Sequence, residues 1–116
     1  MPAPAELKDM TLKELRAARK SMMSGPWKVF IQKQPLEVRR DAAHKAVDIE
    51  QAILELENAD LAAIRDKLVA NETDLLAGVD ALARARQNLA QVQMVLEAVG
   101  TLLSIAAKIA KFVATA

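Results

Sequence analysis

Residues 54–103 read LELENADLAAIRDKLVANETDLLAGVDALARARQNLAQVQMVLEAVGTLL, and leucine returns there at every seventh position: Leu54, Leu61, Leu68, Leu75, Leu82, Leu89, Leu96 and Leu103. A companion series three residues on runs Glu57, Ile64, Asn71, Gly78, Ala85, Val92, Val99, Ala106 and Val113. Alternating steps of three and four put both series on one face of an α-helix. With the leucines at a and the companions at d, the flank Asn58, Arg65, Glu72, Arg86 and Gln93 is mostly polar, which sets the phase. A straight helix drifts ~20° per heptad from such a repeat, so the pattern predicts a left-handed seam shared with neighbouring helices. Leucine at a with isoleucine or valine at d leans toward more than two strands. The plainer reading of the same periodicity is one apolar face of a helix in an ordinary bundle.

Three successive d residues, Asn71, Gly78 and Ala85, are small or polar, so the middle of the seam either admits a close helix approach or marks a bend. A buried asparagine at such a site sets register at a cost in stability. Asn71-Glu-Thr-Asp74 also reads as a helix cap, and in that arrangement the chain turns back near 71 and pairs 37–69 with 74–107 as a hairpin. Unbroken heptad phase through the site favours one helix instead, which from Leu36 to Ala114 would reach about 120 Å at 1.5 Å per residue. Asp41 with Lys45 and Asp80 with Arg84 are i,i+4 pairs in the favourable orientation.

Upstream, Thr11-Leu-Lys-Glu14 matches a capping box and predicts a first helix over about 11–23, which residues 5–10 extend by a turn or two. Leu12, Leu15, Arg19 and Met22 share one of its faces. Ser24-Gly25-Pro26 breaks it, and the linker that follows carries Trp27 and Phe30 in the one strand-like stretch, Trp27-Lys-Val-Phe-Ile31. These two aromatics are docking anchors, either an internal plug between helices or a hot spot for a partner. Pro35 suits the first turn of a new helix. The expected fold class is therefore all-α: an N-terminal docking arm over 1–35, then a long heptad-patterned helix, or hairpin, over 36–116 that builds an oligomeric coiled coil or helical bundle.

Composition agrees with helix seams: hydrophobic residues make up 53% of the 116 and aromatics only 3%. Net charge is +1, but it is segregated. Ten basic residues face five acidic up to Lys45, two face nine from Ala46 to Asp80, and four face one beyond. The plainer reading of such blocks is a solvated helix surface; the other is that they guide a basic N-terminal segment onto an acidic middle, of the same or a neighbouring chain. With no cysteine, disulfides and thiolate metal sites are excluded and the redox compartment is open. The N-terminus does not read as a cleavable signal peptide, and localisation stays unassigned.

After Arg86 the chain becomes apolar on almost every face, which fits a multi-helix core or lipid. The charge-free interval 98–107 is short for a confident transmembrane span. The segment 105–113 reads either as the core of an oligomeric helix barrel, with Lys108 and Lys111 snorkelling outward, or as an amphipathic surface segment in which Leu102, Ile105, Ile109 and Phe112 are the candidate lipid contacts. Glu97, at a b position, belongs to the periphery rather than to an acidic ring. His44 reads as a surface residue. No catalytic set, metal-ligand spacing, phosphate loop or cofactor motif stands out, so no enzyme is expected and no catalytic, cofactor-binding or metal residue is assigned. Arg39, Arg40 and Lys45 ahead of the leucines are too sparse for a basic zipper, which disfavours nucleic acid.

The functional expectation is a non-enzymatic, homo-oligomeric structural or assembly protein, in the style of a virion or secretion-apparatus component. Its partner is itself or another helical protein. Its seam is Leu54, Leu61, Ile64, Leu68, Asn71, Leu75, Leu82, Leu89, Val92, Leu96, Val99 and Leu103. The alternative is a membrane-active helical protein whose C-terminal third enters lipid or forms a pore.

Overall fold

The computed structural model describes residues 2–111, and they are all-helical. Helix α1 spans Pro4–Met22, α2 Gly25–Gln32, α3 Leu36–Asn58, α4 Leu61–Ala70, α5 Glu72–Ala85 and α6 Val92–Ala110. Helices α1 and α6 each lie against both α3 and α5, so the four form a closed ring around a shared core. Helix α4 touches α1 and α6 at one end, and α2 leans on α1 and α3.

Helix α1 begins at Pro4, two turns before the capping box, in line with the extension expected over residues 5–10. Pro4 takes the first helical position, where its missing N–H is no loss, and the Ala3 N–H donates to Glu6 Oε1 at 3.4 Å. Thr11 is therefore interior and buried; its hydroxyl donates back to the Leu7 carbonyl at 2.8 Å. The reason is Leu7, which extends the apolar face upstream and is as buried as Leu15.

The strand-like stretch is likewise helical. Ser24 Oγ accepts the Trp27 N–H at 3.4 Å and donates to the Ser21 carbonyl at 2.6 Å, and Pro26 sits comfortably in the first turn. That cap and the burial of Trp27 override the weak β preference of Val29, Phe30 and Ile31.

One continuous helix after Leu36 is overturned at three places. Ala59 turns extended and Asp60 Oδ1 accepts the Ala62 N–H at 3.4 Å, which starts α4. Asn71 leaves helical geometry at φ −107°, ψ 12°, and its Nδ2 donates to the Lys67 carbonyl at 2.8 Å. Residues 86–91 then form the third connection. Of the two arrangements weighed for residue 71, the break is present, but the partners differ from a simple hairpin, because α6 lies against α5 as well as α3. The longest axis of the described chain is 44 Å, far short of a 120 Å rod, and the radius of gyration is 13.9 Å. A single compact domain of this length is expected near ~13 Å.

The seven-residue spacing runs through these breaks in sequence, but the row changes environment at the first of them. From Ile64 onward the leucine face turns inward: Leu68, Leu75, Leu82, Leu96 and Leu103 all enter the core of this one chain. Gly78 brings α6 against α5, since a Cβ there would stand 3.3 Å from Ile105 Cδ1 and 3.4 Å from Leu102 Cδ1. Ala85 is buried in the same row.

Charge segregation is realised between α1 and α3. Arg16 Nη2 lies 2.7 Å from Glu57 Oε2 and Arg19 Nη1 lies 3.3 Å from Glu50 Oε1, while Lys8 Nζ donates to the Ala59 carbonyl at 2.9 Å. Both i,i+4 pairs are also present, Asp41 with Lys45 at 2.5 Å and Asp80 with Arg84 at 3.1 Å.

Candidate interaction surface on helix α3

Helix α3 buries Ala42, Asp48, Ile49, Ala52, Ile53 and Leu56 on its inner face. Its outer face carries the upstream continuation of the same heptad. Stepping back by sevens from Leu54 gives Val47 and Arg40; stepping back from Glu57 gives Glu50, Ala43 and Leu36. At 3.6 residues per turn, positions 36, 40, 43, 47, 50 and 54 fall within an arc of about 80°. All six are exposed. Leu36 is 50% exposed, Val47 57% and Leu54 53%, values far above those of a helix face spent on packing. One periodic pattern thus points into solvent on α3 and into the core on α4 to α6.

The end of α1 borders this stripe. Met22, Met23, Arg19, Ala46, Val47 and Glu50 line a shallow, mostly apolar groove, and Met23 is 67% exposed beside it. On this face Arg39 and Arg40 lie near the start of α3 and Glu50 and Glu57 near its end. Glu50 and Glu57 reach Arg19 and Arg16 without leaving solvent.

Of the expected seam, Ile64, Leu68, Leu75, Leu82, Val92, Leu96, Val99 and Leu103 are buried within the chain, Leu61, Asn71 and Leu89 are half-buried, and Leu54 is exposed. Trp27 is buried where α2 meets its neighbours and Phe30 packs half-buried against the core. Leu102, Ile105 and Ile109 occupy the inner face of α6; Phe112 lies outside the described residues. Helix α6 is nonetheless long and apolar enough to cross a membrane, although half of its apolar stretch is buried within the bundle.

Glu97 lies on the outer face of α6, in an open groove shared with Asp41, Lys45, Asp74, Thr101, Ser104 and Lys108. Lys45 is already taken there by Asp41. Among the described residues no three His, Cys, Asp or Glu side chains gather as metal ligands, and His44 is exposed on α3.

Two electrostatic features escape sequence reasoning. Arg86 forms a two-pronged hydrogen bond to the buried Glu14, with Nε to Oε2 at 2.5 Å and Nη2 to Oε1 at 3.0 Å. The Glu14 bond raises the Arg86 pKa above its ordinary value against the opposing effect of burial. At the other end, loss of hydration and then the charge of Lys111 lower the pKa of Lys67. No local signal links residues 14 and 86, whereas the Arg16 and Arg19 pairs were implied by the charge blocks. No family model matches the chain, and neither curated proteins nor solved structures include one similar to it.

Proposed function

We propose that this chain is a non-enzymatic, self-associating helical module that acts as a structural or assembly component through helix-to-helix contact. The observation that carries this reading is the exposed, heptad-spaced apolar stripe of α3, Leu36, Ala43, Val47 and Leu54, on a bundle whose other leucine positions are largely internal. An apolar row at coiled-coil spacing gains from a partner helix and has no packing role in the isolated bundle. The coiled coil between chains is thus confined to α3 instead of running along residues 54–103.

Light scattering after size-exclusion chromatography over a concentration series tests it. The native chain, 12.6 kDa as a monomer, gains mass as concentration rises. Val47→Lys with Leu54→Lys holds the mass at the monomer while helicity is retained. A native chain that is monomeric at every concentration in plain buffer overturns the proposal.

A second reading rests on α6, the one helix among the described residues with the length and apolarity of a membrane span. In it, the α5–α6 pair opens and α6 enters lipid, with the structural bundle as the stored form. Dye release from liposomes supports this only if it is lost when Leu102 and Ile109 are replaced by serine; intact vesicles across lipid compositions and pH remove it.

A further inference from the structure

Self-association through α3 leaves orientation and register open, and the residues of the stripe decide both. We infer that a second copy of this chain docks on α3 antiparallel, about a two-fold axis level with residue 45, so that residues whose numbers sum to 90 face each other. This register rests on the self-association proposed above.

Antiparallel seams pair an a position of one helix with a d position of the other. Applied to α3, the rule sets Leu36 of one copy on Leu54 of the second, Arg40 on Glu50, and Ala43 on Val47, each twice by symmetry. Every layer is complementary: bulky apolar at the two ends, small against β-branched at the axis, opposite charges between. Parallel pairing fails the same comparison, because it sets Arg40 on Arg40 and Glu50 on Glu50 across the seam, and like charges facing each other are destabilising. The charges within the stripe, Arg40 toward the start of α3 and Glu50 toward its end, are what an antiparallel partner reads. Met23, just past the end of α1, adds apolar surface beside Val47 at the centre of the contact.

The contact is small. From Leu36 to Leu54 the stripe is ~27 Å long at 1.5 Å per residue, and one helix face ~10 Å wide gives ~300 Å² per partner. Standard stable interfaces bury about 800 Å² on each side, so the dimer is weak and concentration-dependent.

Cysteine cross-linking reads the register on a clean background, since the native chain has no cysteine. Leu36→Cys and Leu54→Cys are made singly, one carrying a size tag, and oxidised alone and mixed. The antiparallel register predicts a disulfide only in the mixture, because 36 and 36, or 54 and 54, then lie about 27 Å apart. Disulfides within each single variant, with no cross-link between the tagged and untagged variants in the mixture, overturn the register while leaving self-association standing. A native chain that stays monomeric in light scattering defeats the reading beneath it instead.

Charge reversal supplies a second, independent readout. Arg40→Glu and Glu50→Arg each raise the dimer dissociation constant by at least ~10-fold, and the two together return it to within about threefold of the native value. Failure of that rescue, with melting curves showing both variants folded, overturns the pairing of 40 with 50. Loss of the exposed Arg19 contact of Glu50 contributes little to folding.

Discussion

Glu14 on α1 and Arg86 at the end of α5 stand 72 positions apart in sequence and meet as a two-pronged ion pair whose carboxylate is buried. Removing the cation strands a charge in the core, so Arg86→Ala destabilises the bundle by about 2–4 kcal/mol. Replacing both by apolar residues of like shape, Glu14→Leu with Arg86→Met, comes out near neutral. Urea unfolding followed by the fluorescence of the buried Trp27 measures both. The raised Arg86 pKa gives stability that is present throughout the range below the ordinary arginine value, so titration from neutral to pH 10 does not weaken this pair from the arginine side.

Gly78 lets α6 approach α5. For Gly78→Ala the two nearest atoms are methyl ends, of Ile105 and Leu102, which yield by a few tenths of an ångström. Better helix propensity offsets that crowding, and the variant stays within about 1 kcal/mol of the parent. Gly78→Leu has no such room and costs about 2–3 kcal/mol or prevents folding, read from the midpoint of thermal unfolding.

Leu54 and Leu82 belong to one leucine series but to opposite environments, 53% and 0% exposed. Leu54→Lys changes folding stability by under about 0.5 kcal/mol, as surface substitutions do. Leu82→Lys buries an unpaired charge and unfolds the chain. Circular dichroism at 222 nm separates the two outcomes.

Lys111 closes α6 in the left-handed region at φ 51°, a conformation glycine adopts freely. Lys111→Gly relieves that backbone cost, about 1 kcal/mol, and removes a like charge from beside Lys67. A lowered lysine pKa means the charged form is disfavoured by folding, a penalty felt below the ordinary lysine range and lost above it. The gain over the parent therefore narrows as pH rises through that range, which chemical unfolding at pH 7 and at pH 11 checks.

Periodicity made the helical class legible and identified most of the core, because Leu68, Leu75, Leu82 and Leu96 follow from spacing alone. It did not reveal where helices stop. The break at Asn71 was legible as a cap, whereas Asp60 is a weak stop signal by itself, and leucine spacing that runs through the connections imitates a single rod. The α3 surface was half visible: Leu54 was singled out, but only the fold shows that the inner face of α3 is built on Ile49, Ile53 and Leu56, leaving the heptad row outside. The Glu14–Arg86 pair was illegible, since partners so far apart are joined by topology rather than by any local spacing.

The ring of four helices also orders events during synthesis. The inner face of α1 rests on α3, α4 and α5, yet fifty residues separate the last of α1 from the first of α5. At translation rates of about 5–20 residues per second, α5 follows α1 by about 2.5–10 s. Through that interval Leu7, Leu12 and Leu15 lack the cover of α5, and of the helices α1 rests on only α3 and then α4 have been made.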